Sequence, residues 1–431
     1  MNGAIWMSAV FILAMAVGVP IPFAAGMAVA VGLLFADIPL ALMAQSAYTA
    51  FEPFPLTTIP LFVLAGQFME KGGMSIRLIE ISQRLVGAYK GGIGLVTVVS
   101  CMFFSALSGS SPATTAAIGS ITIPAMLKEK YKPRFAGAVA AAAGALGSMI
   151  PPSNLLVIYA LVSDTSIPRL FLAGIIPGIV IGLLLIVVTY GICKANDYGG
   201  KGEKFSWLPL MQALWDGKWA LAAPVIILGG IYGGVFTPSE AAAVAVFYGL
   251  FVGVFIYRGL TLAGLLASLR FTAIIIGSTL FILAFTKAFG QLTTIYDIPE
   301  ATGEIFARLG DNPALVMILI GILYIFVGMW LESIAQIVIF TAVMLPVVTA
   351  LGVDPVLFGI FTVMACEVGF LTPPIGGNLF IASKLARVSI EQISIGVLPL
   401  LLPYIVIIAS LAFFSEWVLF LPNLVFGESI S

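Results

Sequence analysis

Two short stretches decide how this chain is read. Ser105–Thr115 is SALSGSSPATT and Gly147–Asn154 is GSMIPPSN. Both are small, polar and broken by glycine or proline, and both are embedded in strongly apolar sequence. In hydrocarbon an unpaired backbone amide or carbonyl costs several kcal/mol, so irregular backbone at that depth has to be buried in protein or line a cavity. The chain has 431 residues, 61% of them hydrophobic and only 9% charged, with a mean hydropathy of +1.15. Soluble domains are roughly 45–50% apolar and about 25% charged. The chain therefore reads as an all-α polytopic membrane protein, and at about 20 residues per span its length allows roughly a dozen crossings.

Composition also excludes function classes. The net charge of −1 argues against nucleic acid as a partner, and histidine is absent, which removes the commonest metal ligand and neutral-pH titrator. Cys101, Cys193 and Cys366 stand singly in apolar runs, with neither metal-ligand nor disulfide spacing. The N-terminal run has no basic region ahead of it and no small-residue cleavage site, so it reads as a retained membrane segment.

The stretch Gly91–Met126 carries no charge, and Lys71, Arg77, Arg84 and Lys90 precede it while Lys128, Lys130, Lys132 and Arg134 follow. Basic residues at both ends place both ends on the cytoplasmic side. A helical hairpin over about 91–127 that enters and returns fits this, with Ser105–Pro112 at its tip; two full spans joined by a far-side loop is the alternative. Pro151-Pro152 divides the next apolar run, and proline in a helix interior removes a donor and blocks the preceding turn. A discontinuous helix is expected there. Later spans are expected over Ala220–Tyr232, Ala241–Tyr257, Phe271–Phe289, Ala314–Trp330, Ile334–Ala350, Leu357–Val368 and Ile393–Leu421.

Proline arithmetic exposes an internal repeat. Pro124, Pro151 and Pro177 are spaced 27 and 26 residues, as are Pro346, Pro373 and Pro399, at a common offset of 222. At that offset Pro152 meets Pro374, Gly147 meets Gly369 and Gly174 meets Gly396. The division is residues 1–195, a polar and amphipathic linker at 196–218, and residues 219–431, with a second hairpin at about 313–349. The first hairpin region is basic; the matching window Thr293–Val356 has Arg308 alone against Asp297, Glu300, Glu304, Asp311, Glu332 and Asp354. By the positive-inside rule the two copies enter from opposite faces. Inverted-topology repeats of this kind place substrate and ion sites at their interface; parallel copies are the alternative.

Hydroxyls of Ser105, Ser108, Ser110, Ser111, Thr114 and Thr115 gather at the first tip. Gly328, Glu332, Gly369, Thr372 and Asn378 mark the second. Unwound backbone suits Na⁺ through carbonyl oxygens, although each hydroxyl can instead bond its own helix. Helix N-termini after the breaks favour an anionic ligand. Glu332 and Glu367 are membrane acids and functional candidates by default. The role of the isolated Lys287 is open, with snorkelling to an interface as the plain account. A serine nucleophile lacks an adjacent base, so an intramembrane enzyme is disfavoured.

SALSGSSPATTAAIGSITIPAM, GSMIPPSNLLVIYALVSDTSIPRLFLAGIIPG, GFLTPPIGGNLF and IGVLPLLLP resemble the large, DctM-like membrane subunit of tripartite ATP-independent periplasmic (TRAP) transporters over almost the whole chain. The resemblance implies inverted repeats with two re-entrant helical hairpins, a transport domain that moves against a scaffold as an elevator, and Na⁺ as coupling ion with no organic cofactor. It implies as partners a small membrane subunit, here a separate chain, and a periplasmic substrate-binding protein. Carried over by motif, one Na⁺ site would use Ser105, Ser108, Gly147, Ile150 and Pro152, and the other Gly328, Gly369, Thr372 and Ile375. Substrate would lie near Ser108, Ser110, Thr114, Ser153 and Glu332. A C4-dicarboxylate or a sialic acid comes first among candidate substrates, ahead of a 2-oxo acid or a sulfonate. A stand-alone Na⁺/anion symporter of the same architecture is the rival.

Overall fold

The computed structural model describes residues 2–199, 205–307, 312–374 and 376–427. Among them there are helices and no strands. Helices α1 (Asn2–Ala16) and α2 (Ile21–Phe35) flank the Gly18–Pro20 break, and α3 (Ala41–Thr49), α4 (Thr58–Lys71) and α5 (Met74–Val86) follow. A hairpin of α6 (Gly92–Ser108) and α7 (Ser111–Lys128) comes next. Then come α8 (Pro133–Gly144) and α9 (Asn154–Ser163), two halves of a broken helix, and the long α10 (Ile167–Ala195). The amphipathic α11 (Trp207–Asp216) exposes Trp207, Leu208, Met211 and Trp215 and is bent 59° from α12 (Lys218–Tyr232). After α13 (Pro238–Phe251), the 34-residue α14 (Leu262–Ile295) and α15 (Ile298–Ala307), the pattern recurs. A hairpin of α16 (Pro313–Gly328) and α17 (Ser333–Ala350) precedes α18 (Pro355–Phe370), α19 (Gly377–Ala386), α20 (Ile390–Phe413) and α21 (Glu416–Phe426).

The recurrence extends to element boundaries. Ser111 and Ser333 open the second hairpin arms, and Pro133 and Pro355 open the helices after them, both pairs 222 residues apart. Proline suits a first turn because the missing N–H has no intrahelical partner there anyway. The half-helices α9 and α19 are each ten residues long and end on left-handed caps, Asp164 (φ 53°) and Arg387 (φ 54°). The Pro151–Pro152 and Pro373–Pro374 bonds are both cis.

The copies interlock rather than standing side by side. Helix α7 packs on α19, and its counterpart α17 packs on α9. Helix α8 sits at the centre, against α6, α7, α19 and α20. Its run of Ala136, Ala138 and Ala140–Ala143 is fully buried. Between lipid-embedded helices apolar burial supplies little drive, and small side chains permit the close approach that van der Waals packing needs. A smaller apolar cluster lies apart: Met7, Ala28 and Leu33 of α1 and α2 close on Phe289 and Leu292 of α14.

Five helices are long and apolar enough to cross a membrane, or six with the bent α11–α12 pair, among the described residues. The remaining apolar helices are shorter, because the hairpin tips and proline breaks divide what composition alone reads as continuous spans. Two expected boundaries change. Ile393–Leu421 is not one span: the chain breaks at Phe414–Ser415 between α20 and α21. Phe271–Phe289 is the middle of the much longer α14. Lys287 has a partner that the sequence does not show. Its Nζ donates to the Thr49 carbonyl at the end of α3 (2.8 Å), where a cation satisfies an orphan carbonyl and the helix dipole.

Candidate functional site

The first tip is built by a left-handed glycine. Gly109 ends α6 at φ +59° and donates its N–H to the Ser105 carbonyl (3.2 Å). A Cβ there would lie 2.6 Å from the Pro152 carbonyl oxygen. The Gly109 carbonyl accepts from Asn154 N (3.0 Å), and Ser111 N donates to Ser148 Oγ (3.1 Å). The tip is thus bound to the α8–α9 break through backbone. Gly147 makes a second close approach, since a Cβ would stand 2.5 Å from the Ser110 carbonyl oxygen and from Thr114 Oγ1.

In this nest the backbone carbonyls of Ser108, Gly147, Ile150 and Pro152 accept no hydrogen bond among the described residues. All four residues are buried. Buried carbonyls are almost always paired, so four free ones around one tip are a candidate oxygen cage. The fifth expected member, Ser105, differs: its carbonyl serves Gly109 and its hydroxyl donates to the Cys101 carbonyl (2.6 Å). Carbonyl oxygens are the donor type that hard cations take.

The second tip is made another way. Gly328 of α16 crosses Gly369 of α18, and a Cβ on Gly328 would lie 2.8 Å from the Gly369 Cα. The Gly328 carbonyl accepts no hydrogen bond among the described residues, whereas the Gly369 carbonyl accepts from Thr372 N (2.9 Å). Thr372 Oγ1 donates to the Val368 carbonyl (2.7 Å). Ile375 lies outside the described residues. Gln336 braces the turn, donating Nε2 to the Leu331 carbonyl (3.1 Å).

A cavity of about 360 Å³ opens beside both tips. Ser108, Ser110 and Glu332 line it together, with Gly109, Ser148, Asn154, Ser333 and Glu367. The opposite wall comes from Ile59, Gln67 and Glu70 of α4 and Phe271, Ile275 and Thr279 of α14. Two expected substrate contacts are not in the lining. Thr114 is buried with its hydroxyl bonded to Ser108 Oγ (2.6 Å). Ser153 is buried too: it donates to the Ser148 carbonyl (2.5 Å) and caps α9 by accepting from Leu156 N (3.3 Å). The sequence reading missed the α4 and α14 wall, which no motif marks. It flagged Glu367 only as an acid in an apolar run.

Among the described residues no Lys or Arg lines the cavity, and the N-terminal turns of α7 (Pro112, Ala113) and α17 (Ser333, Ile334) do. The positive dipole ends of two helices therefore face the cavity, an arrangement that favours an anion without a basic side chain.

Comparison with known proteins places the chain. Residues 7–417 match the family described as tripartite ATP-independent periplasmic transporter, DctM component. The chain is 43% identical to the isethionate TRAP transporter permease protein DctMQ of Oleidesulfovibrio alaskensis, over 91% of this chain and 62% of that protein. It is 35% identical to the sialic acid TRAP transporter large permease protein SiaM of Vibrio cholerae, over 94% and 96% of the two chains. To the C4-dicarboxylate TRAP transporter large permease protein DctM of the same organism it is 36% identical, over 96% of each. Among solved structures the Alcanivorax borkumensis YdaH transporter shares the fold, with a TM-score of 0.62 at 15% identity over 88% of this chain and 89% of that one. The chain therefore belongs to the DctM component family of TRAP transporters, as a multi-pass inner-membrane permease and not an enzyme.

Proposed function

We propose that this chain is the Na⁺-coupled import subunit for a small organic anion, supplied by a periplasmic binding protein and working beside a small membrane subunit. The observation that carries this reading is the set of unpaired carbonyls of Ser108, Gly147, Ile150 and Pro152 directly beside the cavity. A Na⁺ held there adds positive charge next to an anion seated on the N-termini of α7 and α17, so each ligand favours the other. The second Na⁺ would be held at the Gly328–Gly369 crossing, with Thr372 beside it.

The two walls support reading the movement as an elevator. The hairpins, broken helices and their tips form one side; α4 and α14 form the other. Sliding the first past the second would carry the cavity between the two faces of the membrane. Inverted repeats supply the two end states by exchanging the conformations of their copies.

For the substrate, a C4-dicarboxylate and a sialic acid keep their place through the Vibrio cholerae relatives, and the isethionate relative adds a small sulfonate. All present an oxyanion to the same helix ends. Uptake into proteoliposomes tests the reading. With a cognate binding protein, an inward Na⁺ gradient should drive accumulation. Equal uptake without any binding protein would replace this reading with a stand-alone symporter.

A further inference from the structure

Glu367 on α18 is 1% exposed, and its Oε2 accepts no hydrogen bond among the described residues. The hydroxyls of Ser111 and Ser148 stand beside its carboxyl group. Ser111 Oγ accepts from Asn378 Nδ2 (2.5 Å), and the same Nδ2 reaches the Ala141 carbonyl (3.4 Å). That leaves Asn378 Oδ1 buried and without a donor. Thr115 Oγ1, one helical turn beyond Ser111, is also buried and unpaired, held against Gly144 where no Cβ fits. Three elements, α18, α19 and α7, therefore each carry a buried, unpaired oxygen on a residue beside Ser111 or one turn from it, and one of them belongs to a carboxyl group.

Leaving a buried acceptor unsatisfied costs about 1–3 kcal/mol, and a charged one more. Buried carboxylates are normally paired with a cation. Among the described residues no Lys or Arg lines the cavity into which Glu367 and Ser148 open. A small cation meets that need. Calcium sites gather several carboxylates, and among the described residues no group of three or more acidic, Cys or His side chains exists. One carboxylate with hydroxyl and amide oxygens balances a single positive charge.

We propose that Glu367, with Ser111, Ser148, Thr115 and Asn378, holds a monovalent cation, Na⁺ by its oxygen chemistry, at a site separate from the two carbonyl sites at the tips. The cation joins the first hairpin to the second copy's broken helix. It also neutralises a carboxylate that would otherwise repel the anion in the cavity. The site's existence stands on its own oxygens; its part in transport rests on the Na⁺-coupled reading above.

The test is equilibrium binding of radioactive ²²Na⁺ to the full chain, co-purified with its small subunit in lipid nanodiscs. Glu367→Gln should bind one Na⁺ fewer per chain than wild type. Thr115→Val and Ser148→Ala should keep the count and weaken one class of sites by on the order of tenfold. Equal count and affinity in wild type and Glu367→Gln overturns the site. If Glu367→Gln is not monodisperse, unchanged affinity in both milder variants overturns it instead. A wild-type chain that binds no Na⁺ overturns this site and the proposed coupling together. A loss in Ser108→Leu with none in Glu367→Gln removes the Glu367 site and leaves the coupling intact.

Discussion

The two hairpin tips occupy equivalent places in the repeat and are closed by different means. At the first, Gly109 turns left-handed and the backbone bonds to the neighbouring break through Asn154 N (3.0 Å). At the second, the residue 222 positions on is Leu331, which continues a right-handed turn by donating its N–H to the Val327 carbonyl (2.9 Å). Its neighbour Trp330 is 55% exposed, and the approach to the break is a glycine-on-glycine crossing. A tip bonded to its break resists opening; one held by side-chain bracing and packing opens at lower cost. The first tip is therefore expected to be the more rigid of the two.

The largest effect should come from Gly109→Val. A β-branched residue at φ +59° is strained, and its Cβ would strike the Pro152 carbonyl. The variant should lose about 2 kcal/mol or more of stability and all Na⁺-driven uptake. The matched Leu331→Val should cost about 1 kcal/mol or less. Thermal unfolding of both in detergent checks the pair, and similar shifts would dissolve the contrast between the tips. Next comes Gly369→Val, whose Cβ would lie 2.6 Å from the Gly328 Cα. It should force α16 from α18 and weaken one Na⁺ by tenfold or more, about 1.4 kcal/mol. The Na⁺ at the first tip should be retained in a binding titration; loss of both would mean that the tips do not act separately.

A smaller effect is expected at Ser108. Ser108→Ala removes the 2.6 Å hydroxyl bond to Thr114, worth about 1 kcal/mol, and two long 3.5 Å bonds with the Ser110 backbone, and leaves the backbone carbonyls in place. Ser108→Leu forces bulk into a site 3% exposed and should weaken Na⁺ far more. Wild-type Na⁺ affinity in Ser108→Leu would remove this cage from the account. The smallest effect lies at the base of the first hairpin, where Lys90 pairs with Asp197 beyond α10. The hydrogen bond from Lys90, then its charge, holds the Asp197 carboxyl below its usual range. A depressed value stabilises the fold above about pH 4 and loses that effect as pH falls through the lowered value. Because the carboxylate is exposed, Asp197→Asn should lower the melting temperature only slightly at neutral pH and low salt. The difference should vanish in about 1 M salt.

Much of this arrangement is legible in the sequence, for specific reasons. Prolines punctuate helices whatever surrounds them, so Pro124, Pro151 and Pro177 and their partners carried the repeat. Uncharged runs between basic clusters marked the first hairpin. Other features follow only from packing. A hydroxyl's partner is invisible in a string, so Thr114 and Ser153 could not be told from the cavity-lining Ser108 and Ser110. The α4 and α14 wall has no motif because its residues are ordinary apolar ones, with Gln67, Glu70 and Thr279 among them. Lys287 read as a stray charge because the Thr49 carbonyl it satisfies is 238 residues away. The α20–α21 break is marked only by Ser415-Glu416, a short polar pair in an otherwise apolar run with no proline or glycine at the junction.

The most direct test of the central claim, that Na⁺ beside the tips drives anion import, is uptake into proteoliposomes with the cognate binding protein under an imposed inward Na⁺ gradient. Accumulation should occur with that gradient and fall to background when K⁺ replaces Na⁺. Equal accumulation with K⁺ in place of Na⁺ would contradict it.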